Sequence, residues 1–281
     1  MPKAKKMRLA ATDVVLELTR RCNMHCATCL RGDAEALDMP KQLIDNVFAG
    51  ACEISTLTLT GGEPSMVPEL IRYALTCAKK HGTRVREVYV ATNGKSVPAA
   101  FLSALRDWHV KCLDDEAAGT EKYVDAEYAR RIILANAADE PIGVHVDLSM
   151  DYYHDDIPRE NVLKLCTLPH VHTNKYHSAT DDKWVLHTGR AYWNGIGDTP
   201  VDQERPWAYD ERSTLIDLQI DAAGDARYDV QIYINAQGQV LKYCDYAYED
   251  MDEHVLGCID PVQKDRDWVR RLYDEHVDDE D

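Results

Sequence analysis

The chain has 281 residues, 45% hydrophobic and 29% charged, which is the composition of an ordinary globular protein with a substantial core. Its 49 acidic residues outnumber 32 basic ones, and the net charge of −17 disfavours general binding to nucleic acid. No apolar run approaches the ~20 residues that span a bilayer. Nine cysteines in scattered positions indicate a reducing compartment rather than a disulfide framework, so we expect a cytoplasmic protein with no membrane contact.

The N-terminal part begins with a basic leader, residues 1–12, which lacks the apolar segment of a signal peptide. Residues 14–19 then predict a strand. Cys22, Cys26 and Cys29 follow it with the spacing Cys-x3-Cys-x2-Cys. Three thiolates are one short of a closed zinc site, and they can hold a four-iron cluster with one iron open to another ligand. The alternatives are a zinc site that adds His25, or simply reduced cysteines.

Strand and helix patterns then alternate along the chain. Strand patterns occupy residues 14–19, 56–60, 87–92 and 143–149. Helical patterns occupy residues 40–48, 68–80, 98–108, 123–138 and 158–168, with a polar excursion at 111–122. A strand, a loop and a helix repeated four times predict parallel strands with right-handed crossovers.

Polar turns follow the carboxyl ends of the four predicted strands. They are the cysteine loop, Gly61-Gly62-Glu63-Pro64, Thr92-Asn93-Gly94 and Ser149-Met150-Asp151. Ligands bind at the carboxyl ends of parallel strands, so we expect these turns to converge on one site. As isolated patterns, the last three are also ordinary turn signals.

The fourth strand alternates between apolar and polar side chains. His145, Asp147 and Ser149 share one face, and the apolar residues between them share the other. If the apolar faces pack against helices, the inner face of the sheet is polar, which suits an open partial barrel with a wet lumen. The alternative is a sheet with one solvent-exposed face.

The pattern changes after residue 170. Residues 184–187 predict a strand followed by a turn at Thr188-Gly189-Arg190-Ala191. Residues 228–235 and 239–244 predict a β-hairpin, residues 268–273 a helix, and residues 276–281 an acidic, solvated tail. We therefore expect a main domain over residues 13–210 and a hairpin and helix extension over residues 211–281.

The cysteine spacing and the unchanged GGEP turn resemble those of the radical S-adenosylmethionine (SAM) superfamily, over roughly residues 12–170. The resemblance implies an α/β fold, a partial (β/α)6 TIM-like barrel with a small C-terminal β-hairpin and helix extension. It also implies that Cys22, Cys26 and Cys29 hold a [4Fe-4S] cluster whose open iron binds SAM.

The same resemblance implies which residues contact SAM. The GGEP turn would seat the amino group of its methionine portion, and the TNG and S-x-D segments would add polar contacts, so the expected cofactor-binding residues are Gly61, Gly62, Glu63, Asn93, Ser149 and Asp151. A basic residue such as Arg159 or Lys164 would pair with the carboxylate. Thr28 lies where the family usually has an aromatic residue, so the adenine contact must differ.

Two later segments resemble parts of the family more weakly. The GRA turn recurs in some relatives, which gives Arg190 either a role in orienting substrate or a surface salt bridge. Residues 244–257 resemble the start of a SPASM extension, but its remaining cysteines are missing. We therefore interpret the extension as reduced and cluster-free, with Cys244 and Cys258 more often buried apolar residues than ligands.

The resemblance implies a radical SAM enzyme, with no catalytic side chain assigned. An electron from a flavodoxin- or ferredoxin-type donor would cleave SAM to methionine and a 5′-deoxyadenosyl radical. That radical would abstract hydrogen from a small-molecule or nucleotide-like substrate. One alternative is an enzyme that modifies a peptide or protein, which the hairpin extension supports. Another is a zinc-binding scaffold without catalysis.

Overall fold

The computed structural model describes residues 6–120, 143–150, 153–154, 156–174, 188–196 and 219–276. The predicted helix at 123–138, the predicted strand at 184–187, Asp151 and residues 277–281 of the acidic tail lie outside these ranges.

The described strands form one sheet. They are β1 (Leu9–Thr19), β2 (Ala51–Gly61), β3 (Arg84–Thr92), β4 (Gly143–Ser149), β5 (His170–Asn174), β6 (Gln219–Ile220), β7 (Ala226–Ile234), β8 (Gln239–Leu241) and β9 (Val255–Cys258). Their order is β5-β4-β3-β2-β1-β7-β8-β9, and β6 pairs with β7. The pairs from β5 to β7 along this order are parallel, whereas β8 and β9 are antiparallel to their neighbours.

Helices follow most of the parallel strands. The described helices are α1 (Lys41–Gly50), α2 (Pro68–His81), α3 (Ala99–Thr120), α4 (Arg159–Leu165), α5 (Gly189–Trp193) and α6 (Trp268–His276). The start and end signals read from the sequence hold for α2, which opens on a proline and ends at Gly82 in the left-handed conformation. The α/β class is confirmed, and the sheet is open across the described residues, with β5 and β9 at its edges.

One face of the sheet forms the main core. The strand register aligns apolar side chains in two rows across β1, β2, β3 and β4. All are fully buried: Val14, Leu57, Val88 and Val144 in one row, and Leu16, Leu59, Val90 and Val146 in the other. The helices pack on these rows, with Phe48 of α1, Ile71 of α2 and Phe101 of α3 among the buried contacts. Burial of this apolar area is the main source of stability.

The opposite face carries polar side chains, as the alternation predicts. Thr58, Tyr89 and His145 lie side by side in the register, and all three are half-buried. Glu87 and Asp13 lie one step nearer the amino ends of their strands and are also half-buried. The inner face of the open sheet is therefore polar.

The predicted hairpin is present, but its first strand joins the main sheet. β7 and β8 pair antiparallel through Tyr233 and Leu241. β7 also pairs in parallel with β1, where Tyr233 lies opposite Val15. These residues form a second apolar cluster with Tyr243, Tyr246 and Met251. The sheet therefore continues past residue 210, where the sequence suggested a division.

None of the helices in the described ranges is both long enough and apolar enough to cross a bilayer.

Trp268 anchors α6 to α1, which gives a test of the packing. Its indole Nε1 donates to the carbonyl of Asn46 at 3.0 Å, and a Cβ on Gly50 would lie 2.1 Å from that nitrogen. Because a large buried aromatic is lost, we expect Trp268→Ala to lower the free energy of unfolding by about 3–5 kcal/mol in denaturant titrations. Val262→Ala, at an exposed position in the preceding loop, should change it by less than about 0.5 kcal/mol. Equal small losses in both variants would contradict this docking.

Candidate metal and cofactor site

A cavity of about 330 Å³ opens at the carboxyl ends of β1, β2, β3 and β4. Each of the four polar turns contributes to its wall. The predicted site residues that line it are Cys22, Cys26, Cys29, Gly61, Gly62, Glu63, Asn93 and Ser149. Asp151 is outside the described residues. The fold therefore brings together the three predicted metal ligands and the predicted cofactor-binding residues of the turns whose positions it describes.

The cysteine loop carries three reduced thiols, each partly accessible. A turn closes its second half, because the Cys29 amide donates to the Cys26 carbonyl at 3.2 Å. Burial raises the pKa of the Cys22 thiol, and the nearby Glu63 carboxylate acts in the same direction, against a hydrogen bond from the Met24 backbone. A thiolate at Cys22 therefore needs a positive partner, such as a metal, to become the stable form.

The thiols are not arranged around a single ion. Within the described residues, no three Cys, His, Asp or Glu side chains converge closely enough to hold one metal ion. A mononuclear zinc site needs its sulfurs about 2.3 Å from the same ion, whereas a four-iron cluster attaches each thiolate to a different iron. Three thiols on one cavity wall could hold such a cluster. His25, the fourth ligand of the zinc alternative, has a side chain 78% exposed and 4.0 Å from Asp33.

The two glycines of the GGEP turn pack against the end of β1. A Cβ on Gly61 would lie 2.1 Å from the Thr19 carbonyl oxygen, and one on Gly62 would lie 2.4 Å from that of Arg21. The Gly62 amide donates to Thr19 at 2.7 Å, and the Glu63 amide donates to Arg21 at 2.8 Å. From the sequence, the missing side chains suggested close approach to a ligand. The close approach that the structure describes is to the chain's own backbone, just before the cysteine loop.

The Glu63 carboxylate joins the ends of β2 and β3. It is 1% exposed. One oxygen accepts hydrogen bonds from the Ser65 amide at 2.9 Å and the Thr92 hydroxyl at 2.7 Å, and the other accepts from the Asn93 amide at 2.7 Å. Burial raises the pKa of Glu63, although these hydrogen bonds favour its charged form. Most of its acceptor capacity is therefore used within the protein.

The TNG turn touches the cysteine loop through Asn93. Its side-chain amide donates to the Asn23 side-chain oxygen at 2.9 Å and lies 3.8 Å from the Cys22 sulfur. Its own oxygen accepts from the Lys95 amide at 2.9 Å, which fixes the turn. Asn161 of α4 supports the turn from behind by donating to the Lys95 carbonyl at 2.9 Å.

Arg190 is a clamp on the cysteine loop that the sequence did not identify. It is 4% exposed, so the surface position considered from the sequence is wrong. Its amide donates to the Cys29 carbonyl at 3.0 Å, and its guanidinium donates to the Cys26 carbonyl at 3.1 Å and to Asp33 at 2.9 Å. α5 packs so closely that a Cβ on Gly189 would lie 2.6 Å from the Cys29 carbonyl oxygen. The GRA triplet was the only local signal for this residue.

Neither cation suggested for a carboxylate contact lines the cavity. Arg159 is exposed in the first turn of α4, and Lys164 lies near Asn161 and Glu160 on the same helix. Arg31 lines the cavity instead, two residues after the last cysteine. No motif pointed to it. Further lining residues include Thr28 and His154.

A stack of histidines occupies the polar face nearer the amino end of β4. The rings of His145 and His170 are parallel with centroids 4.6 Å apart, His172 stacks at 6.4 Å from His145, and His109 meets His170 edge-on at 5.7 Å. Burial lowers the pKa of His145 to about 4, and its histidine neighbours act in the same direction. The sequence showed these residues, but only the pairing of β4 with β5 brings them together.

This lowered pKa gives a pH prediction. The unfolded chain takes up a proton at His145 near pH 6.5, but the folded protein resists it until about pH 4, so folding stability falls as the pH falls through this window. We expect His145→Asn to lose less stability than the parent between pH 7 and 5 in urea unfolding. His25→Asn, at an exposed position, should leave the slope unchanged. Identical slopes for the parent and His145→Asn would contradict the prediction.

A second prediction concerns Glu63. Glu63→Gln places an amide NH₂ against donors that now face a carboxylate, so we expect a loss of about 1–3 kcal/mol in unfolding free energy by denaturant titration. The matched change Glu249→Gln, at an exposed position, should cost less than about 0.5 kcal/mol. A Glu63→Gln variant as stable as Glu249→Gln would show that the three hydrogen bonds are not stabilising.

Comparison with known proteins gives a partial relationship. No protein-family model matches the chain. Two proteins named GTP 3′,8-cyclase, from Stenotrophomonas maltophilia strains K279a and R551-3, are 36% and 35% identical to it over 101 residues. These alignments cover 34% of this chain and 29% of each relative, so the chain matches less than a third of the relatives' length.

Solved structures show a distant likeness. A structure of anSMEcpe with bound AdoMet has a TM-score of 0.44 and 11% identity, covering 94% of this chain and 80% of that one. Streptococcus suis SuiB bound to the precursor peptide SuiA has a TM-score of 0.38 and 11% identity, covering 84% and 60%. Over the matched 101 residues, the cyclase similarity supports the resemblance to the radical SAM superfamily that the cysteine motif and the GGEP turn indicate.

Proposed function

We propose that the protein is an enzyme that reductively cleaves SAM at a [4Fe-4S] cluster held by Cys22, Cys26 and Cys29. One observation carries the proposal. The three thiols line the same cavity as the glycines of the GGEP turn and the polar ends of β3 and β4. The donor set fits the group, because three thiols leave one iron of a four-iron cluster open for SAM.

Bound there and reduced by a flavodoxin- or ferredoxin-type donor, such a cluster supplies the electron that splits SAM into methionine and a 5′-deoxyadenosyl radical. The remaining tasks belong to the chain. The cysteine loop is held by Asn93 next to Cys22, by Arg190 at the Cys26 carbonyl, and by the backbone of the GGEP turn just before it. These contacts keep the thiols on one wall of the cavity. Because the loop is already ordered, less conformational entropy is lost when it binds the cluster.

The GGEP turn is proposed to bind the amino group of SAM. Because the Glu63 carboxylate already accepts three hydrogen bonds, we propose that backbone carbonyls of the turn, rather than this side chain, accept from the amino group. Asn93 and Ser149 add polar contacts on the opposite strand ends. For Asp151, the proposed contact with SAM rests on the S-x-D sequence pattern alone.

For the substrate we propose a small or nucleotide-like molecule. The supporting observation is the name of the curated relatives, GTP 3′,8-cyclase, which states a nucleotide for those proteins. Modification of a peptide or protein is the second candidate. In its favour, β7 and β8 extend the sheet beside β1, and Tyr233 of β7 packs against Arg31, which lines the cavity. We propose that residues 211–281 form a hairpin and helix extension and that the enzyme works in the reducing cytoplasm.

Metal analysis tests the proposal directly. Anaerobically reconstituted protein should contain about four irons per chain, absorb broadly in the visible range and convert SAM to 5′-deoxyadenosine only with a reductant such as dithionite. One tightly held zinc per chain with no cleavage of SAM would instead support the non-catalytic zinc scaffold.

The ligand assignment has its own test. We expect Cys26→Ala to retain less than about one iron per chain and to lose SAM cleavage, because two thiolates cannot hold the cluster. Cys166→Ala, at an exposed cysteine after α4, should keep the parental iron content and cleavage. Full iron in Cys26→Ala would remove this residue from the ligand set.

A further inference from the structure

A buried tyrosine hydroxyl behind the cysteine loop has no hydrogen-bond partner among the described residues. It belongs to Tyr248, in the segment that follows β8, and its oxygen is shielded from solvent although the ring is only half-buried. Buried tyrosine hydroxyls usually find a partner, because an unpaired one gives up its bonds to water and gains nothing in return. An unpaired group of this kind in a folded protein indicates a partner that binds separately, such as a metal group or a ligand.

Tyr248 touches both ends of the cysteine loop. Its amide donates to the Arg31 carbonyl at 3.0 Å, two residues after Cys29. Its ring packs against the guanidinium of Arg20, two residues before Cys22, with 4.3 Å between the central carbon and the ring centre. The backbone and the ring therefore fix the position of this tyrosine, and the hydroxyl is not needed for either contact.

Two groups that can carry negative charge lie within electrostatic range of the hydroxyl. Burial raises the pKa of Tyr248, and Glu17 and the Cys29 thiol act in the same direction, against two arginines. The hydroxyl therefore keeps its proton at neutral pH and is a donor. Glu17 is already bonded, because one of its oxygens accepts from Arg20 at 2.7 Å and the other from the Tyr233 hydroxyl. Of the two groups, Cys29 is the one left to accept.

We infer that the Tyr248 hydroxyl donates a hydrogen bond to the Cys29 sulfur when this cysteine binds the [4Fe-4S] cluster, and that this bond raises the reduction potential of the cluster. The inference rests on the proposed function, since it takes Cys29 to be a cluster ligand. An uncharged thiol sulfur accepts hydrogen bonds weakly, whereas a metal-bound thiolate is charged and accepts more strongly. Hydrogen bonds to the sulfurs favour the reduced, more negative cluster.

A competing explanation is that the hydroxyl binds water or a residue outside the described ranges, and that Tyr248 only packs on Arg20. Tyr248→Phe separates the two, because it keeps the ring and removes only the oxygen. Tyr233→Phe is the matched variant. It removes the hydroxyl of a neighbouring buried tyrosine that does have a partner, Glu17.

Urea unfolding of the iron-free protein tests whether the hydroxyl lacks a partner. We expect the urea midpoint of Tyr248→Phe to equal or exceed that of the parent, because no hydrogen bond is lost. The midpoint of Tyr233→Phe should fall, because the buried Glu17 carboxylate loses a donor. A midpoint of Tyr248→Phe below that of the parent would overturn the inference, since the hydroxyl would then be bonded without the cluster.

The effect on the cluster is measured in anaerobically reconstituted protein, by electron paramagnetic resonance at fixed solution potentials. At the potential that half-reduces the parent, the ratio of reduced to oxidised cluster in Tyr248→Phe should be at least about threefold lower. Tyr273→Phe, on α6, should match the parent. The ratio counts only bound clusters, so a change in iron content does not alter it.

The two ways of failing are distinct. An unchanged ratio in Tyr248→Phe, with the cluster present, overturns the inference and leaves the proposed function standing. A parent that binds no four-iron cluster refutes the proposed function itself, and the inference with it.

Discussion

The buried carboxylate of Glu63 is the contact on which the cavity depends. Its three hydrogen bonds join the turn after β2 to the end of β3, and the backbone of the same turn bonds to the end of β1. A carboxylate with this little exposure is tolerated only because donors surround it. Three strand ends are thereby fixed relative to one another. The cysteine loop begins immediately after the end of β1, so the position of its first thiol is fixed as well.

The rest of the loop is held by residues far away in the chain. Arg190 binds the carbonyls of Cys26 and Cys29, and the backbone of Tyr248 binds Arg31 just beyond them. The loop thus keeps its shape through contacts with α5 and with the segment after β8. These contacts tie α5 and the segment after β8 to the loop that carries the thiols. A preorganised loop suits chemistry in which a reactive species must meet its substrate in one geometry.

Much of the fold and of the site could be predicted because the signals are local. The alternation in β4 predicted which of its residues form the polar face and which the apolar face, since side chains on a strand point alternately to opposite sides. The turns at the strand ends gave the site, since parallel strands bring their carboxyl ends to one edge. The reason for the glycines was harder to predict. Gly61 and Gly62 make room for the end of β1, and no local pattern shows which backbone will approach.

The sequence by itself determined the cysteine spacing, the alternating strands and the set of polar turns, because each depends on residues within a few positions of one another. Only the tertiary structure decided that β7 lies parallel to β1, that Arg190 clamps the loop and that Arg31 reaches the cavity. Some of these contacts join residues that are more than two hundred positions apart, and the chain's periodicity does not predict such pairings. The entropic cost of closing a loop grows only slowly with its length. Packing, rather than proximity in sequence, therefore decides which distant segments pair.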